Sequence, residues 1–258
     1  MLKNTFIHIP GVGKAKELEY WKQNILTWSD LLSSLQKNVT YDLFGGISAS
    51  AENKDIILCI QDSEKALKEK NCSFFSRLLP KEEYWRLYHD FKENCVFVDI
   101  ETTGLSSVID DITLIGCYKN GEYQAFVKGK NILAAIDVIQ SSSLISTFNG
   151  TLFDIKFIQA KNPKMIMPSV HLDLRNYIPK TDDYKGGLKH IEKTLGIQRE
   201  SDIDGMDGKQ AIVWWNQYQQ GDNSALDKLI RYNREDTVNL EKLATTLFTQ
   251  KFKQLFPA

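Results

Sequence analysis

Asp99 and Glu101 stand one residue apart near the end of an apolar run, Cys95-Val96-Phe97-Val98-Asp99-Ile100-Glu101-Thr102-Thr103-Gly104-Leu105. Along an extended strand, residues i and i+2 point to the same side, so the two carboxylates face one space. Like charges that close are costly unless something positive sits between them. A divalent cation is the usual compensator, and an oxygen-only ligand set suits Mg²⁺ or Mn²⁺. On its own the segment reads equally well as a strand running out into a polar turn.

Two later segments carry further carboxylates. Asp154 follows Phe148-Asn149-Gly150-Thr151-Leu152-Phe153 and falls in the first turn of a predicted helix, where the helix dipole favours a negative charge. Tyr232-Asn233-Arg234-Glu235-Asp236 lies on a long predicted helix. Tyr232 and Asp236 are four apart and share a face, so Asp236 can complete a metal site with the Tyr232 hydroxyl leaning over it. Singly, Asp154 is a dipole partner and Asp236 an exposed helix charge. The three segments in this order, on these element types, favour a common metal site.

The elements that must position them read as follows. Strands are predicted at 96–100, 112–118, 123–127, 144–148 and 170–174, with a hairpin turn at Asn120-Gly121. Helices are predicted at 131–140, 153–160, 187–195, 208–219 and 224–248. A meander, a β-α-β unit and closing helices describe an α/β domain over 92–258: a mixed five-stranded sheet flanked by helices, in a ribonuclease-H-like arrangement. Residues 1–45 form a small helical region. Phe6-Ile7-His8-Ile9-Pro10-Gly11-Val12-Gly13-Lys14 opens it with a tight turn, one helix runs through Trp21, and Thr27 or Ser29 caps a second. Residues 46–91 are a loop and helical bridge. A loop or boundary at 38–55 contains Gly45-Gly46, and apolar residues from Leu67 to Phe91 recur at helical spacing, interrupted by Pro80.

The 258 residues are 42% apolar and 25% charged, as in an ordinary soluble protein, and 32 basic against 33 acidic residues leave a formal net charge of −1. No global field draws the chain onto nucleic acid, although a local basic strip suffices for binding. Cys59, Cys72, Cys95 and Cys117 show no CxxC pairing and read as reduced structural thiols of a cytoplasmic protein. The start, Met1-Leu2-Lys3-Asn4-Thr5, has no apolar h-region, and no apolar run approaches the ~18 residues of a membrane span, so neither a secretory signal nor a membrane anchor is expected.

The three carboxylate segments resemble those of the DEDD superfamily of 3′–5′ exonucleases, which carry Asp-x-Glu, an Asp after an Asn-containing turn, and Tyr-x-x-x-Asp. The tyrosine four before the aspartate resembles the DEDDy subclass; the histidine subclass wants His where Arg231 stands. More narrowly, the chain is similar to the YprB-type family of predicted exonucleases, through Phe6 to Gly13, Thr27-Trp28, Val98 to Leu105, His171-Leu172-Asp173-Leu174, Gly187-Leu188-Lys189-His190-Ile191-Glu192 and Tyr232 to Asp236. The opening turn and its two helices resemble a helix-hairpin-helix element. Gly11, Gly13 and Lys14, with Lys16 nearby, would then offer backbone N–H groups and charge to a phosphate; plain packing is the alternative.

The resemblance implies phosphodiester hydrolysis at nucleic-acid ends, single-stranded or frayed at the 3′ side, with two divalent ions about 4 Å apart. Asp99 would bridge them. Glu101 and Asp236 would complete the site of the attacking water, Asp154 would reach the second ion mainly through water, and Tyr232 would orient the nucleophile. Thr102, Thr103 and Leu105 would hold the terminal nucleotide, unless Leu105 plugs the core. Asn149 either contacts the substrate or caps the following helix. Asp173 touches the substrate or supports the site, while His171 reads as a satisfied core residue. Trp214, Trp215 and Tyr218 suit either base stacking or core packing. Lys185, Lys189, Lys193 and Arg199 suit phosphate contact or a solvated helix face. A nucleic-acid-binding module with weak or absent turnover is the rival function, and an endonuclease a further one. No motif indicates a protein partner, and none separates DNA from RNA.

Overall fold

A computed structural model describes residues 1–37, 40–41, 47–48, 51–199 and 208–255. The chain divides into two units, Met1–Lys92 and Glu93–Ala258. The first unit holds helices α1 (Lys14–Lys22) and α2 (Trp28–Lys37), a two-residue ladder of β1 (Thr40–Tyr41) with β2 (Ile47–Ser48), and helices α3 (Ala51–Lys68), α4 (Cys72–Leu78) and α5 (Trp85–Phe91). Gly45-Gly46, within the predicted loop, lies outside the described residues. That loop ends earlier than expected, because α3 already begins at Ala51 and carries Ile56 and Ile60 into the core. Thr27, not Ser29, caps α2. Its hydroxyl accepts from the Asp30 N–H at 3.2 Å, and the Asp30 carboxylate accepts from the Thr27 N–H at 2.8 Å, so two donors of the helix start are satisfied reciprocally.

A buried ionic knot ties the N-terminal turn to α1 and α5. Glu17 accepts from the Phe6 and Ile7 N–H groups at 2.7 and 3.3 Å and receives both Arg86 Nη atoms at 2.9 Å. Arg86 Nε reaches Glu83 at 2.8 Å, and Lys14 pairs with the other Glu83 oxygen at 2.5 Å. Glu17 and Arg86 are both essentially inaccessible to water. A buried bidentate pair of this kind holds only while both partners are present.

The second unit is an α/β domain: a mixed five-stranded sheet with flanking helices, in the ribonuclease-H-like arrangement expected. Its strands are β3 (Cys95–Thr102), β4 (Ile112–Lys119), β5 (Glu122–Val127), β6 (Leu144–Thr147) and β7 (Val170–Asp173), ordered β5-β4-β3-β6-β7. β3, β4 and β5 form the antiparallel meander, with Asn120 and Gly121 at φ +53° and +85° in the two-residue turn, where only such residues are comfortable. β6 and β7 run parallel to β3. Helices α6 (Ala134–Gln140), α7 (Asp154–Lys161), α8 (Leu188–Thr194), α9 (Gly208–Gln219) and α10 (Asn223–Leu255) complete the unit. Even-numbered β3 residues Val96, Val98 and Ile100 pack with Ala135, Ile139, Phe157 and Ile158 from α6 and α7. The other side of the sheet carries Leu114 and Val127 into a cluster with Trp214, Trp215, Leu229 and Tyr232 from α9 and α10. Buried on both faces, β3 is therefore an almost continuous apolar run. Trp214 and Trp215 pack in this core and form no open stacking surface.

The first unit gives a direct test of its ionic knot. Arg86→Met leaves the Glu17 carboxylate buried without its cation and is expected to cost about 3–5 kcal/mol in urea-induced unfolding of the full chain, with the Glu17→Met/Arg86→Met double variant losing less.

Candidate active site

The site begins where the sheet loses a strand. β6 pairs with β3 only at Cys95, Val96 and Phe97, so the last residues of β3 extend beyond their parallel neighbour. The N–H of Ile100 in that stretch donates to Asp154 Oδ1 at 3.1 Å. A side chain from the start of α7 thus takes the place of a missing strand partner. Between Glu101 and Thr102 the β3–β4 register shifts by a bulge, a device that re-aims side chains at the edges of sites.

Asp99, Glu101 and Asp236 converge across the gap between β3 and α10: each offers an oxygen, and these lie within 4.8 Å of one another. A cavity of about 650 Å³ opens here, lined by these three with Asp154, Tyr232, Leu105, Asn149 and Lys209 among others. Burial pushes the Asp99 carboxyl well above the usual carboxylate range, and the charges of Asp236, Glu101 and Asp154 push it further. Glu101 is raised likewise, by burial first and then by Asp236. Burial also lifts Asp154 to about 7, against the N–H groups that hydrogen-bond it. Crowded carboxylates this reluctant to ionise are what an oxygen-ligated divalent cation relieves, so the donor set fits Mg²⁺ or Mn²⁺. Asp154, holding the Ile100 N–H, stands outside the convergent three.

Tyr232 sits one helical turn before Asp236, buried, with its ring edge-on to Trp214 at 6.0 Å and the Lys189 ammonium 4.5 Å from its centroid. Burial, followed by the charges of Asp236, Glu101 and Asp99, pushes its phenol well above the ordinary range, so the hydroxyl remains neutral.

The residues expected at the substrate fall in several places. Leu105 is 86% exposed at the cavity and does not plug the core. Thr102 donates to the Gly104 carbonyl at 2.5 Å, and the Thr103 hydroxyl accepts from the Asp111 N–H at 3.0 Å, so both hydroxyls shape the turn that presents Leu105. Asn149 adopts φ +60°, lines the cavity and caps no helix; Phe153 occupies the position before α7. Asp173 is buried, and its carboxylate accepts from the N–H groups of Asn149 at 2.7 Å, Thr151 at 3.0 Å and Arg175 at 3.2 Å. It braces the Asn149 turn. His171 Nε2 is 2.7 Å from Thr147 Oγ1. In the first unit, Gly13 precedes α1, Gly11 has φ +78°, and Lys14 is already paired with Glu83.

Arg199 was expected at a phosphate or on a solvated helix face, and Lys209 and Asn233 had no expected place at this site. Arg199 is neither on a wet face nor turned to solvent: it is held between Glu192 and Asp236 and lends the carboxylates one positive charge. Lys209 lies at the cavity at the start of α9. Asn233 bonds both Asp99 and Glu101. Nothing local in the sequence marks Arg199 or Asn233 for the site, since the site carboxylates they meet lie 37 residues away for Arg199 and 132 and 134 for Asn233.

A family model for the RNase H superfamily, RNase_H_2, matches residues 96–248. Among solved structures, the chain is similar to the family B DNA polymerase from the hyperthermophilic archaeon Pyrobaculum calidifontis, with a TM-score of 0.51 and 16% identity. The match covers 59% of this chain and 24% of that one, so the chain spans about a quarter of the polymerase's length. At this identity the likeness speaks to the fold. No curated protein gives a significant match.

The raised carboxyls give stability a definite pH sign. Folded, Asp154 holds its proton up to about 7; unfolded, it releases it near ~4. Between those values the folded state binds more protons, so without metal the stability falls as pH rises. In EDTA the melting temperature is expected to be lower at about pH 8 than at about pH 5, by an amount on the order of a few kcal/mol in stability. Added Mg²⁺ or Mn²⁺ should reverse the loss at the higher pH, and Asp154→Asn should make the profile shallower, with Asp99 and Glu101 still contributing to its slope.

Proposed function

Since the chain belongs to the RNase H superfamily, we propose that it is a metal-dependent 3′–5′ exonuclease of the tyrosine DEDD subclass, similar to the YprB-type proteins. The observation that carries this is the convergence of Asp99, Glu101 and Asp236 beside Tyr232 in an open cavity of the second unit. The order Asp-x-Glu, Asp and Tyr-x-x-x-Asp along the chain supports the same reading. The substrate is a single-stranded or frayed end of DNA or RNA, and the cofactors are two Mg²⁺ or Mn²⁺ ions.

Asp99, Glu101 and Asp236 would hold the metal, with Asp154 contributing mainly through water. The ions would supply an activated water and charge stabilisation at the phosphoryl and leaving oxygens. Every other part belongs to the chain. Tyr232, kept neutral by its surroundings, orients the attacking water by hydrogen bonding and takes no proton. Leu105, held out from the Thr102–Gly104 turn, packs against the terminal base. Asn149 is within reach of the backbone of a strand entering the cavity, on a turn fixed by Asp173. Lys209 adds positive charge at the cavity wall, where a phosphate chain needs it. In the first unit, Gly11, Gly13 and Lys14 would take a nucleic-acid phosphate; Lys14 must then exchange Glu83 for it.

With 5′-labelled DNA and RNA oligomers and Mg²⁺ or Mn²⁺, the expected product is a ladder shortening from the 3′ end, stopped by a blocked 3′ terminus. Asp99→Ala and Asp236→Ala should abolish it, and Tyr232→Phe should slow it by roughly 10²-fold. Cleavage that survives in Asp99→Ala, or cuts within a 3′-blocked oligomer, would overturn the proposal.

A further inference from the structure

Asn233 follows Tyr232 on α10 and is fully buried. A buried primary amide must satisfy two donors and an acceptor, and its partners here are unusual. The Nδ2 group donates to Asp99 Oδ2 at 2.8 Å, to the Asp99 carbonyl at 3.2 Å and to Glu101 Oε1 at 3.4 Å. On the other side, Oδ1 accepts from the Tyr123 hydroxyl at 2.9 Å and the Thr237 hydroxyl at 3.3 Å. Rotating the amide by half a turn would set its oxygen against three acceptors, so the surroundings fix which end faces the carboxylates.

The backbone is adapted to this contact. Gly116 on β4 stands opposite Asp99 in the strand register. A Cβ there would lie 1.9 Å from Asn233 Oδ1 and 2.6 Å from Thr237 Oγ1. The glycine is thus the opening through which the amide reaches the strand.

We propose that Asn233 is a positioning residue that presets the Asp99–Glu101 pair for cation binding, with Tyr123 anchoring the amide from behind. It engages one oxygen of each carboxylate, Asp99 Oδ2 and Glu101 Oε1, and leaves the second oxygen of each to serve as a ligand. Held by a neutral donor, the two side chains keep their spacing before any ion arrives, and the amide itself adds no charge to the cage. Arg199 does the corresponding work for Asp236 as an ion pair. The inference rests on these carboxylates being metal ligands. Groups that orient metal ligands in this way typically contribute about 10–100-fold to affinity.

The test is calorimetric titration of the full chain with Mn²⁺, beside thermal melts, for the wild type, Asn233→Ala, Tyr123→Phe and Asp99→Ala. Asn233→Ala should weaken Mn²⁺ binding about 10–100-fold. Tyr123→Phe, which removes only the anchoring hydroxyl, should weaken it several-fold. The half-saturating Mn²⁺ for cleavage should rise in parallel, with turnover at saturating metal changed less. Wild-type Mn²⁺ affinity in a folded Asn233→Ala, or in Tyr123→Phe should Asn233→Ala not fold, would overturn the inference while leaving the metal site intact. Wild-type protein that binds no more Mn²⁺ than Asp99→Ala would instead overturn the metal site itself, and the inference with it.

Discussion

Three carboxylates from two elements are crowded at the end of a buried strand, and most of the second unit's odd features answer that crowding. Coulomb repulsion inside a protein is screened far less than in water, so acidic groups this close stay together only with compensation on every side. The compensation is visible. Arg199 takes Asp236, the Asn233 amide takes Asp99 and Glu101, and the Ile100 N–H takes Asp154. One guanidinium among three convergent carboxylates still leaves a net negative centre, and Asp99 and Glu101 respond by resisting ionisation. The balance left over is the charge that a bound divalent cation would offset.

The same constraint explains the sheet. A strand fully paired on both sides has no spare N–H and no open space at its end. By stopping β6 at Thr147, the chain leaves a notch beside β3 that the Phe148–Phe153 turn and Asp154 fill. That turn would collapse without support, because Asn149 stands in the left-handed region and its N–H needs an acceptor. Asp173, at the end of β7, supplies it. Gly150 is required just there, since a Cβ would meet Thr147 Oγ1 at 2.2 Å.

Much of this was legible in the residues. The strands could be read from apolar runs and from Asn120-Gly121, and the mixed sheet follows from their order. Element ends were less accessible. α10 runs on to Leu255, past its expected stop at 248, because no Gly or Pro interrupts the polar segment there. α6 starts at Ala134 and not at 131, because the Asn131 side chain accepts from the Val127 N–H at 2.8 Å and folds into a turn. The carboxylates were legible because strand and helix periodicities aim them. Their supports were not. Asn233 looks like any polar helix residue until the strand 132 positions earlier at Glu101 is brought against it. Arg199 looks like a surface cation until Glu192 and Asp236 close on it. Leu105 could be placed only by seeing which side of its turn faces out.

Tyr232, Asn233 and Asp236 all ride on little more than one turn of α10. Backbone bonds between residues four apart make such a turn move as a unit when a protein opens locally. The phenol, the amide and the third carboxylate therefore arrive and depart together, while Asp99 and Glu101 stay with the sheet. Unwinding that turn would take all three side chains away from Asp99 and Glu101 in one step.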